Sequence, residues 1–312
     1  MKILVYVAGV IGSIFASKLL QAKNNVTILA RNKRYNEILK NGIVLYNPKT
    51  QLTETTKIKV VNRLLEDMVY DYIFVVMQKT QVSKVLDVLA KNKSPNIVFA
   101  VNTASGYEEW TQAVGSERLM LEFPSSAGGE SKGGIVSYFI GKGFMHIFQT
   151  TTFGETTGKK TKRIAKLVSM FSKTKIPSTS CSNMDAWQKT NATVVTCIAN
   201  SLYAYDCDNK KLGNSQHSIK EMLYAIREGG SVLKTLGIPT TPYKLNFFYL
   251  PIPLITFVFQ IFMNTQLAEI TMAKHCINAK HEMIALQHEF DLLIKNSEYK
   301  TPYIDFLKKN LI

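Results

Sequence analysis

The sequence predicts an α/β fold in which a doubly wound parallel sheet is followed by an all-helical domain. Apolar, strand-like runs alternate with helical periods through the first half of the 312 residues, a pattern typical of parallel strands with helices on both faces. A glycine-bearing turn stands between the first strand and the first helix. From about Ser178 onward the sequence has almost only the helical period.

The first thirty residues form one strand–turn–helix–strand unit. This complete unit argues against a secretory signal peptide, which the N-terminal lysine and apolar run would otherwise suggest, so we expect a cytoplasmic protein. The predicted strands are Lys2–Ala8, Asn25–Ala30, Tyr70–Met77, Asn96–Asn102, Arg118–Phe123, Ile135–Gly141 and Phe144–Thr150. The predicted helices are Val10–Ala22, Gln81–Lys91 and a short one near Tyr107–Val114.

Two domains are expected. Residues 1–177 are predicted to bind a nucleotide, and residues 178–312 to form a helical domain for substrate binding and a possible homodimer contact. The four cysteines have no C-x-x-C spacing, which gives no sign of a disulfide framework or a zinc site. The histidines likewise lack a third ligand at matching spacing, so we expect no metal site.

One apolar run, Phe247–Met263, resembles a membrane span. It is shorter than the roughly 20 apolar residues that a transmembrane helix needs, and Pro251 and Pro253 interrupt it near its start. The favoured interpretation is a buried helix or an apolar subunit contact, and membrane association is the weaker alternative.

The formal net charge of +15 suits an anionic partner. Basic residues are scattered and no nucleic-acid recognition motif occurs, so nucleic acid is not the expected partner. The densest basic cluster, Gly158–Leu167, is interpreted as the solvated face of a helix. A nucleotide cofactor and a small anionic substrate need only a local positive site.

The turn after the first strand reads "VYVAGVIGS". A dinucleotide-binding turn has the pattern G-x-G-x-x-G, whose glycines serve the tight bend, the approach of the pyrophosphate and the packing of helix on strand. Gly9 and Gly12 keep the second and third glycines, whereas Val7 stands in place of the first. Val7 leaves the amides and the dipole of the helix N-terminus in place. We expect a slightly wider bend that still binds pyrophosphate.

The second strand ends in "ARNKR" and carries no carboxylate. An NAD site usually has an acidic residue here for the ribose hydroxyls. Arg31 and its neighbours instead suit a 2′-phosphate through charge-assisted hydrogen bonds. A solvated basic loop is the alternative for this segment alone, but together with Gly9 and Gly12 it favours NADPH as the cofactor.

Several further segments follow the glycine turn in a characteristic order and spacing, namely "LAR", "QVSKVL", "FAVNTASGYEEW", "MDAWQKTNATVV" and "KHEMIALQHEFDLLIKNSEYKTP". Together with the turn, they resemble the ketopantoate reductase (2-dehydropantoate 2-reductase) family over nearly the whole chain. The resemblance implies a Rossmann domain joined to a helical C-terminal domain, with the active site between them.

The resemblance implies a reaction and a set of site residues. NADPH would deliver a hydride to a 2-keto acid, as in the conversion of 2-dehydropantoate to pantoate in pantothenate biosynthesis. Lys189 matches the lysine that protonates the carbonyl oxygen, a general-acid role, and Glu282 matches the glutamate that holds the substrate's hydroxyl. Asn102 matches the asparagine near nicotinamide and substrate, and Gln81 is a retained cofactor-side residue.

The chain also departs from the family pattern. Thr103 replaces the glycine that usually follows the asparagine, and two substrate-side asparagines become Thr193 and Cys197. Asn200 is a candidate to compensate for them. The family's serine pair appears as Thr271 and Met272, one residue closer to the glutamate. These differences leave the identity of the keto acid open.

Helical periodicity gives a partial check that does not use the family. Lys189, Thr193 and Asn200, with Thr196, form a polar stripe that would face water or a cleft. Glu282 borders an apolar stripe, as either a cleft wall or a surface glutamate would. Two functions therefore remain open. One is an NADPH-dependent reductase of a 2-keto acid, and the other is a non-catalytic descendant that binds a nucleotide or a partner.

Overall fold

The computed structural model describes residues 1–125, 127–130, 132–140 and 150–311. The chain divides into two compact units. Unit 1 consists of Met1–Val101 and Tyr107–Met184, and unit 2 consists of Asn102–Gly106 and Asp185–Ile312. The division at Asp185 comes shortly after the predicted boundary at residue 178, whereas the excursion of residues 102–106 into unit 2 was not anticipated from the sequence.

Unit 1 contains the strands, and the predicted doubly wound sheet is confirmed. In chain order the strands are β1 (Lys2–Tyr6), β2 (Asn25–Leu29), β3 (Ile43–Asn47), β4 (Leu52–Thr56), β5 (Lys59–Val61), β6 (Tyr72–Val76), β7 (Ile97–Ala100), β8 (Leu119–Phe123), β9 (Ala127–Glu130), β10 (Ile135–Phe139), β11 (Thr151–Glu155) and β12 (Ser178–Ser180).

Eight of these strands form the main sheet, in the order β12-β11-β8-β7-β6-β1-β2-β5. Neighbouring strands are parallel, except that β11 runs antiparallel to β8. All residues of β6 and β7 are buried, because a parallel strand covered by helices on both faces consists of apolar residues throughout. A second sheet has the order β4-β3-β10-β9. The predicted strand Phe144–Thr150 falls almost wholly outside the described residues.

Among the described residues of unit 1, five helices accompany the main sheet. The first and last of them pack on one face through residues such as Phe15 and Phe171, and the third and fourth pack on the other through residues such as Leu86 and Trp110. The second helix, which was not predicted, begins within the "ARNKR" segment. The helices are α1 (Val10–Gln21), α2 (Asn32–Asn41), α3 (Ser83–Lys91), α4 (Glu108–Val114) and α5 (Lys162–Ser172).

Unit 2 is helical, as the sequence predicted. Its helices are α6 (Met184–Tyr203, which begins with the last residue of unit 1), α7 (Asn209–Asn214), α8 (Gln216–Thr235), α9 (Ile252–Met263), α10 (Gln266–Ala268), α11 (Lys274–Asn278), α12 (Lys280–Ser297) and α13 (Pro302–Leu307). A π-helical turn, Glu269–Ala273, joins α10 to α11.

The apolar run divides into a 3-10 helix, Tyr243–Tyr249, and helix α9, which are bent by 110° relative to each other. Helix α9 buries one face in unit 2, including Phe259 and Met263, and exposes the other, with Phe257 62% and Ile261 57% accessible. Within the described ranges no single helix meets the length and hydropathy of a membrane span, although the bent pair meets them together.

Candidate active site

The glycine turn of unit 1 keeps its tight geometry although its first glycine is missing. Val7 has φ of 86°, in the left-handed region that favours glycine. A Cβ atom added at Gly12 would lie 2.1 Å from the carbonyl oxygen of Val7, so only glycine fits there. The wider bend expected from the sequence is therefore wrong. Val7 instead adopts the strained conformation that a glycine would take without cost.

The space beside Gly9 is open. A Cβ atom added there would meet no atom within 4 Å, and no side chain in the described part of the chain caps the N-terminus of α1. The first amides of a helix have no partner within the helix, and together with the helix dipole they bind anions. The turn thus has the open approach and the donors that a pyrophosphate requires.

A cavity of about 530 Å³ lies where β2 and β5 end. Two guanidinium groups border it, and none of its described lining residues is a carboxylate. Arg31 also donates through Nη2 to the hydroxyl of Tyr6 at 3.2 Å. This donor set fits a phosphate ester. The lining residues are Arg31, Asn32, Tyr35, Asn36, Asn62 and Arg63.

Arg34, the other arginine of "ARNKR", has a structural role. Its Nε donates to the carbonyl oxygen of Ala8 at 3.2 Å, and its Nη2 donates to Ser13 Oγ at 3.2 Å. Its Nη1 donates to the carbonyl oxygen of Gly134 at 2.8 Å. Arg34 therefore stabilises the glycine turn through hydrogen bonds to residues on both sides of Gly9 and Gly12. Among the predicted cations, Arg31 is the one that borders the cavity together with Arg63.

Gln81 ends a short 3-10 helix after β6, and its side chain is exposed. Its main-chain N–H donates to the carbonyl oxygen of Gln78 at 3.0 Å. Its predicted contact with the cofactor remains a prediction.

In unit 2, two predicted site residues that are far apart in sequence come together. Asn102 Nδ2 donates to Glu282 Oε1 at 3.2 Å across 180 positions of the chain. The other polar atom of this amide, Oδ1, is buried and has no donor among the described residues. A buried amide oxygen of this kind normally has a partner, so Asn102 can still accept a hydrogen bond from a bound molecule.

The pKa of Glu282 is raised above its ordinary value by burial. The charge of His275 and the hydrogen bond from Asn102 oppose that effect. Glu282 in turn raises the pKa of Tyr203, for which burial is the main cause. The Tyr203 hydroxyl donates to the carbonyl oxygen of Cys276 at 3.0 Å. The glutamate thus lies in a partly buried polar cluster whose ionisation can respond to a ligand.

Lys189 has a carboxylate partner on its own helix. Its Nζ lies 2.7 Å from Oδ2 of Asp185, one turn earlier on α6. The ammonium group is mostly buried, with 16% of the Lys189 side chain accessible. An acid–base pair at positions i and i+4 of a helix is a signal the sequence contained.

Two other residues of the polar stripe of α6 are buried. Thr193 and Asn200 are 2% and 1% accessible. The Thr193 hydroxyl donates to the carbonyl oxygen of Lys189 at 3.1 Å, and its methyl group packs on Gly229 of α8. Asn200 Nδ2 donates to Gln287 Oε1 at 2.9 Å, and its own Oδ1 is buried with no donor in the described ranges. Contact with a substrate stays a prediction for both residues.

The loop that carries Asn102 is bound to α12 by a second glutamate. Glu289 Oε2 accepts from the main-chain N–H of Ala104 at 2.6 Å and of Ser105 at 3.0 Å. It also lies 3.1 Å from the Thr103 hydroxyl. Neither Glu289 nor His275 was singled out from the sequence, because only the packing of α11 and α12 brings them to this loop.

Residues 3–150 match the sequence model of the family described as ketopantoate reductase PanE/ApbA. No curated protein sequence matches the chain significantly.

Solved structures share its fold along its full length. The 2-dehydropantoate 2-reductase of Geobacter metallireducens GS-15 has a TM-score of 0.81 at 16% identity and covers 100% of this chain and 99% of its own. A ternary structure of D-mandelate dehydrogenase with NADH and anilino(oxo)acetate has a TM-score of 0.79 at 18% identity, with coverages of 100% and 97%. A PanE/ApbA family ketopantoate reductase from Ralstonia eutropha JMP134 has a TM-score of 0.76 at 14% identity, with coverages of 100% and 97%.

Two independent findings thus agree. The sequence match covers residues 3–150, and the shared fold extends through the helical half. Residues 3–150 thus match the ketopantoate reductase family, and the whole chain has the fold of solved structures described as ketopantoate reductases.

Proposed function

We propose that this protein is an NADPH-dependent reductase that converts a 2-keto acid into a 2-hydroxy acid. The observation that carries the proposal is the hydrogen bond between Asn102 and Glu282, which joins two family site residues from distant parts of the chain. Both lie in a polar cluster with a buried acceptor available to a ligand. We extend the proposal to a cytoplasmic location, which agrees with four cysteines that are free thiols.

The cofactor would be held by unit 1. Amides at the start of α1 beside Gly9 would bind the pyrophosphate, and Arg31 with Arg63 would bind the 2′-phosphate. When bound, NADPH supplies a hydride to the keto carbon. The D-mandelate dehydrogenase of similar fold is described with NADH, so the preference for NADPH rests on the two arginines and on the lack of a carboxylate around their cavity.

The chain's own residues would bind the acid and supply the proton. Lys189 would donate a proton to the carbonyl oxygen as negative charge develops on it, a general-acid role. Asp185 holds the ammonium group in place at 2.7 Å. Glu282 and Asn102 would orient the substrate. The reduction of 2-dehydropantoate in pantothenate biosynthesis is the first reaction to test.

Steady-state kinetics test the proposal. NADPH oxidation would be followed with 2-dehydropantoate and with branched and aromatic 2-keto acids. Lys189→Ala should lower kcat by roughly 10²–10⁴, the usual size of a general-acid contribution, and leave NADPH affinity nearly unchanged. Lys210→Ala, at an exposed position of α7, is the matched control. Equal turnover by Lys189→Ala and wild type would remove the lysine from its role, and no turnover of any acid would favour a non-catalytic protein.

The cofactor preference has its own test. Arg31→Ala should reduce the ratio of NADPH to NADH affinity by about tenfold, because one charge-assisted contact to the 2′-phosphate is lost. Lys33→Ala is a suitable control, since Lys33 is 88% accessible and pairs only loosely with Glu37 at 3.7 Å. Fluorescence titration with both cofactors measures the ratio. If wild type binds the two alike, the assignment of the arginine cavity is wrong.

A further inference from the structure

The segment 102–106 lies along helix α12 and is held there by two carboxylates. Glu282 receives the Asn102 amide at 3.2 Å, and Glu289, seven residues later, receives the amides of Ala104 and Ser105 at 2.6 and 3.0 Å. Seven residues are about two helical turns, so both glutamates project from the same side of α12. The loop therefore has two attachments on one helix.

The two attachments differ in strength. A carboxylate that accepts main-chain N–H groups makes charge-assisted hydrogen bonds, which are about twice as strong as neutral ones. Glu289 makes two of these, and the Thr103 hydroxyl lies 3.1 Å from both Glu289 Oε2 and the carbonyl oxygen of Gly106, so its one proton serves either acceptor. Asn102 has a single, longer bond to Glu282. The attachment at Glu289 thus fixes the loop, and through the backbone it also fixes the position of the Asn102 side-chain amide.

From this geometry we infer that Glu289 is a positioning residue, which holds the Asn102 amide against Glu282 so that both side chains present one binding surface to the substrate. Its part in turnover rests on the proposed function. Its part in placing Asn102 does not, because that is a property of unit 2 alone.

Hydrogen exchange tests the attachment without any activity. In Glu289→Ala the amide of Ala104 loses its acceptor, whereas that of Ser105 keeps the Thr103 hydroxyl at 3.2 Å. The Ala104 amide should therefore exchange at least about tenfold faster, a change that corresponds to the loss of roughly one hydrogen bond. Glu289→Gln keeps a carbonyl acceptor and should restore much of the protection. Glu221→Ala, a half-buried glutamate of α8 that pairs with His217, is the control. Unchanged exchange in Glu289→Ala would overturn the inference.

The ionisation of Glu282 provides a readout that separates positioning from simple charge removal. Removing the negative charge of Glu289 would by itself lower the pKa of Glu282 or leave it unchanged. Releasing Asn102 would raise it, because that amide stabilises the carboxylate. The substitution does not alter His275 and Tyr203, the ionisable groups whose electrostatic interaction with Glu282 is described above.

Carboxyl ¹³C NMR of glutamate-labelled protein, with the Glu282 resonance identified through Glu282→Gln, measures this pKa. The positioning role requires a rise in Glu289→Ala in the same direction as in Asn102→Ala, with no further rise in the double variant. A fall would overturn the role.

Steady-state kinetics then test whether the positioning by Glu289 affects the reaction. Displacing a binding group by about 1 Å can cost 10²-fold, so Glu289→Ala should lower kcat/KM for the keto acid by between about tenfold and 10²-fold, mainly through KM, and Glu289→Gln should recover most of it. If wild type reduces none of the keto acids, the proposed function fails while the exchange and NMR measurements still decide the positioning. If hydrogen exchange and NMR both support the positioning role but kcat/KM of an active enzyme does not change in Glu289→Ala, Glu289 has no part in the reaction.

Discussion

Two loops of this chain lack a glycine that the family has, and they tolerate the loss in different ways. In the turn after β1, Val7 takes the glycine's conformation with φ of 86°. In the loop after β7, Thr103 keeps a negative φ, and its hydroxyl lies 3.1 Å from the Glu289 carboxylate. The first loop keeps its shape at the cost of backbone strain, and the second gains a side-chain contact. A missing glycine therefore does not show by itself whether a loop has lost its function.

The largest expected effect on stability concerns a buried carboxylate that lacks hydrogen-bond donors among the described residues. Glu289 has two amide donors, whereas Glu122 on β8 is fully buried and neither of its oxygens has a donor in the described part of the chain. Burial raises the pKa of Glu122 well above its ordinary value of 4.5. Glu122→Met should therefore increase the free energy of unfolding at neutral pH by roughly 1–3 kcal/mol, the cost of an unsatisfied buried polar group.

The pH dependence of that gain identifies its cause. The folded protein binds the Glu122 proton more tightly than the unfolded chain does, so stability decreases as pH rises above about 4.5. The difference between wild type and Glu122→Met should shrink towards pH 4.5, and Glu122→Gln should remove the same pH dependence with a smaller gain. Urea unfolding over this pH range measures it. A pH-independent difference would mean that packing, and not charge, is responsible.

The second effect on stability tests the loop after β7, in which Thr103 replaces the family's glycine. Thr103→Gly restores the family residue but removes the hydroxyl and adds backbone freedom. It should destabilise the protein by roughly 1–2 kcal/mol, since both losses act in the same direction. Thr103→Ser keeps the hydroxyl and should stay close to wild type. Unfolding of the three proteins in urea compares them, and a stabilising Thr103→Gly would remove the contrast between the loops.

The smallest effect has the opposite sign. Val7→Gly should stabilise the protein by about 1 kcal/mol, because the left-handed conformation costs an L-residue roughly 1–2 kcal/mol and glycine far less. NADPH binding should be retained or improved. Val7→Ala, which shortens the side chain but keeps the strain, should show no gain in thermal unfolding. If alanine stabilises as much as glycine, the side chain of Val7 and not its backbone is the cause.

The two loops also show how much of the structure could be predicted from the sequence. Central strands such as β6 were predicted because a buried parallel strand is continuously apolar. Short or polar strands, such as β4 with its single buried residue, gave no comparable signal. The positive φ of Val7 could not be anticipated, since a β-branched residue rarely adopts it.

Only part of the candidate site could be predicted, because some of its residues belong to no sequence motif. Glu282 and Asn102 were found through family motifs, and Asp185 could have been found through its helical spacing to Lys189. Arg63 follows a strand of three residues that was not recognised. His275 and Glu289 have no motif, and only the packing of the chain brings them to the site. Sequence patterns identify residues on one element, but contacts between elements need the fold.

The excursion of residues 102–106 into unit 2 has a consequence for modularity. A fragment beginning at Asp185 would contain α12 but would leave Glu282 without the Asn102 amide and Glu289 without its main-chain donors. Exchange of helical halves between relatives at a single junction would likewise pair each α12 with another protein's loop. The loop and the helix must be inherited together, so recombination within this architecture requires two junctions in unit 1 as well as the one at Asp185.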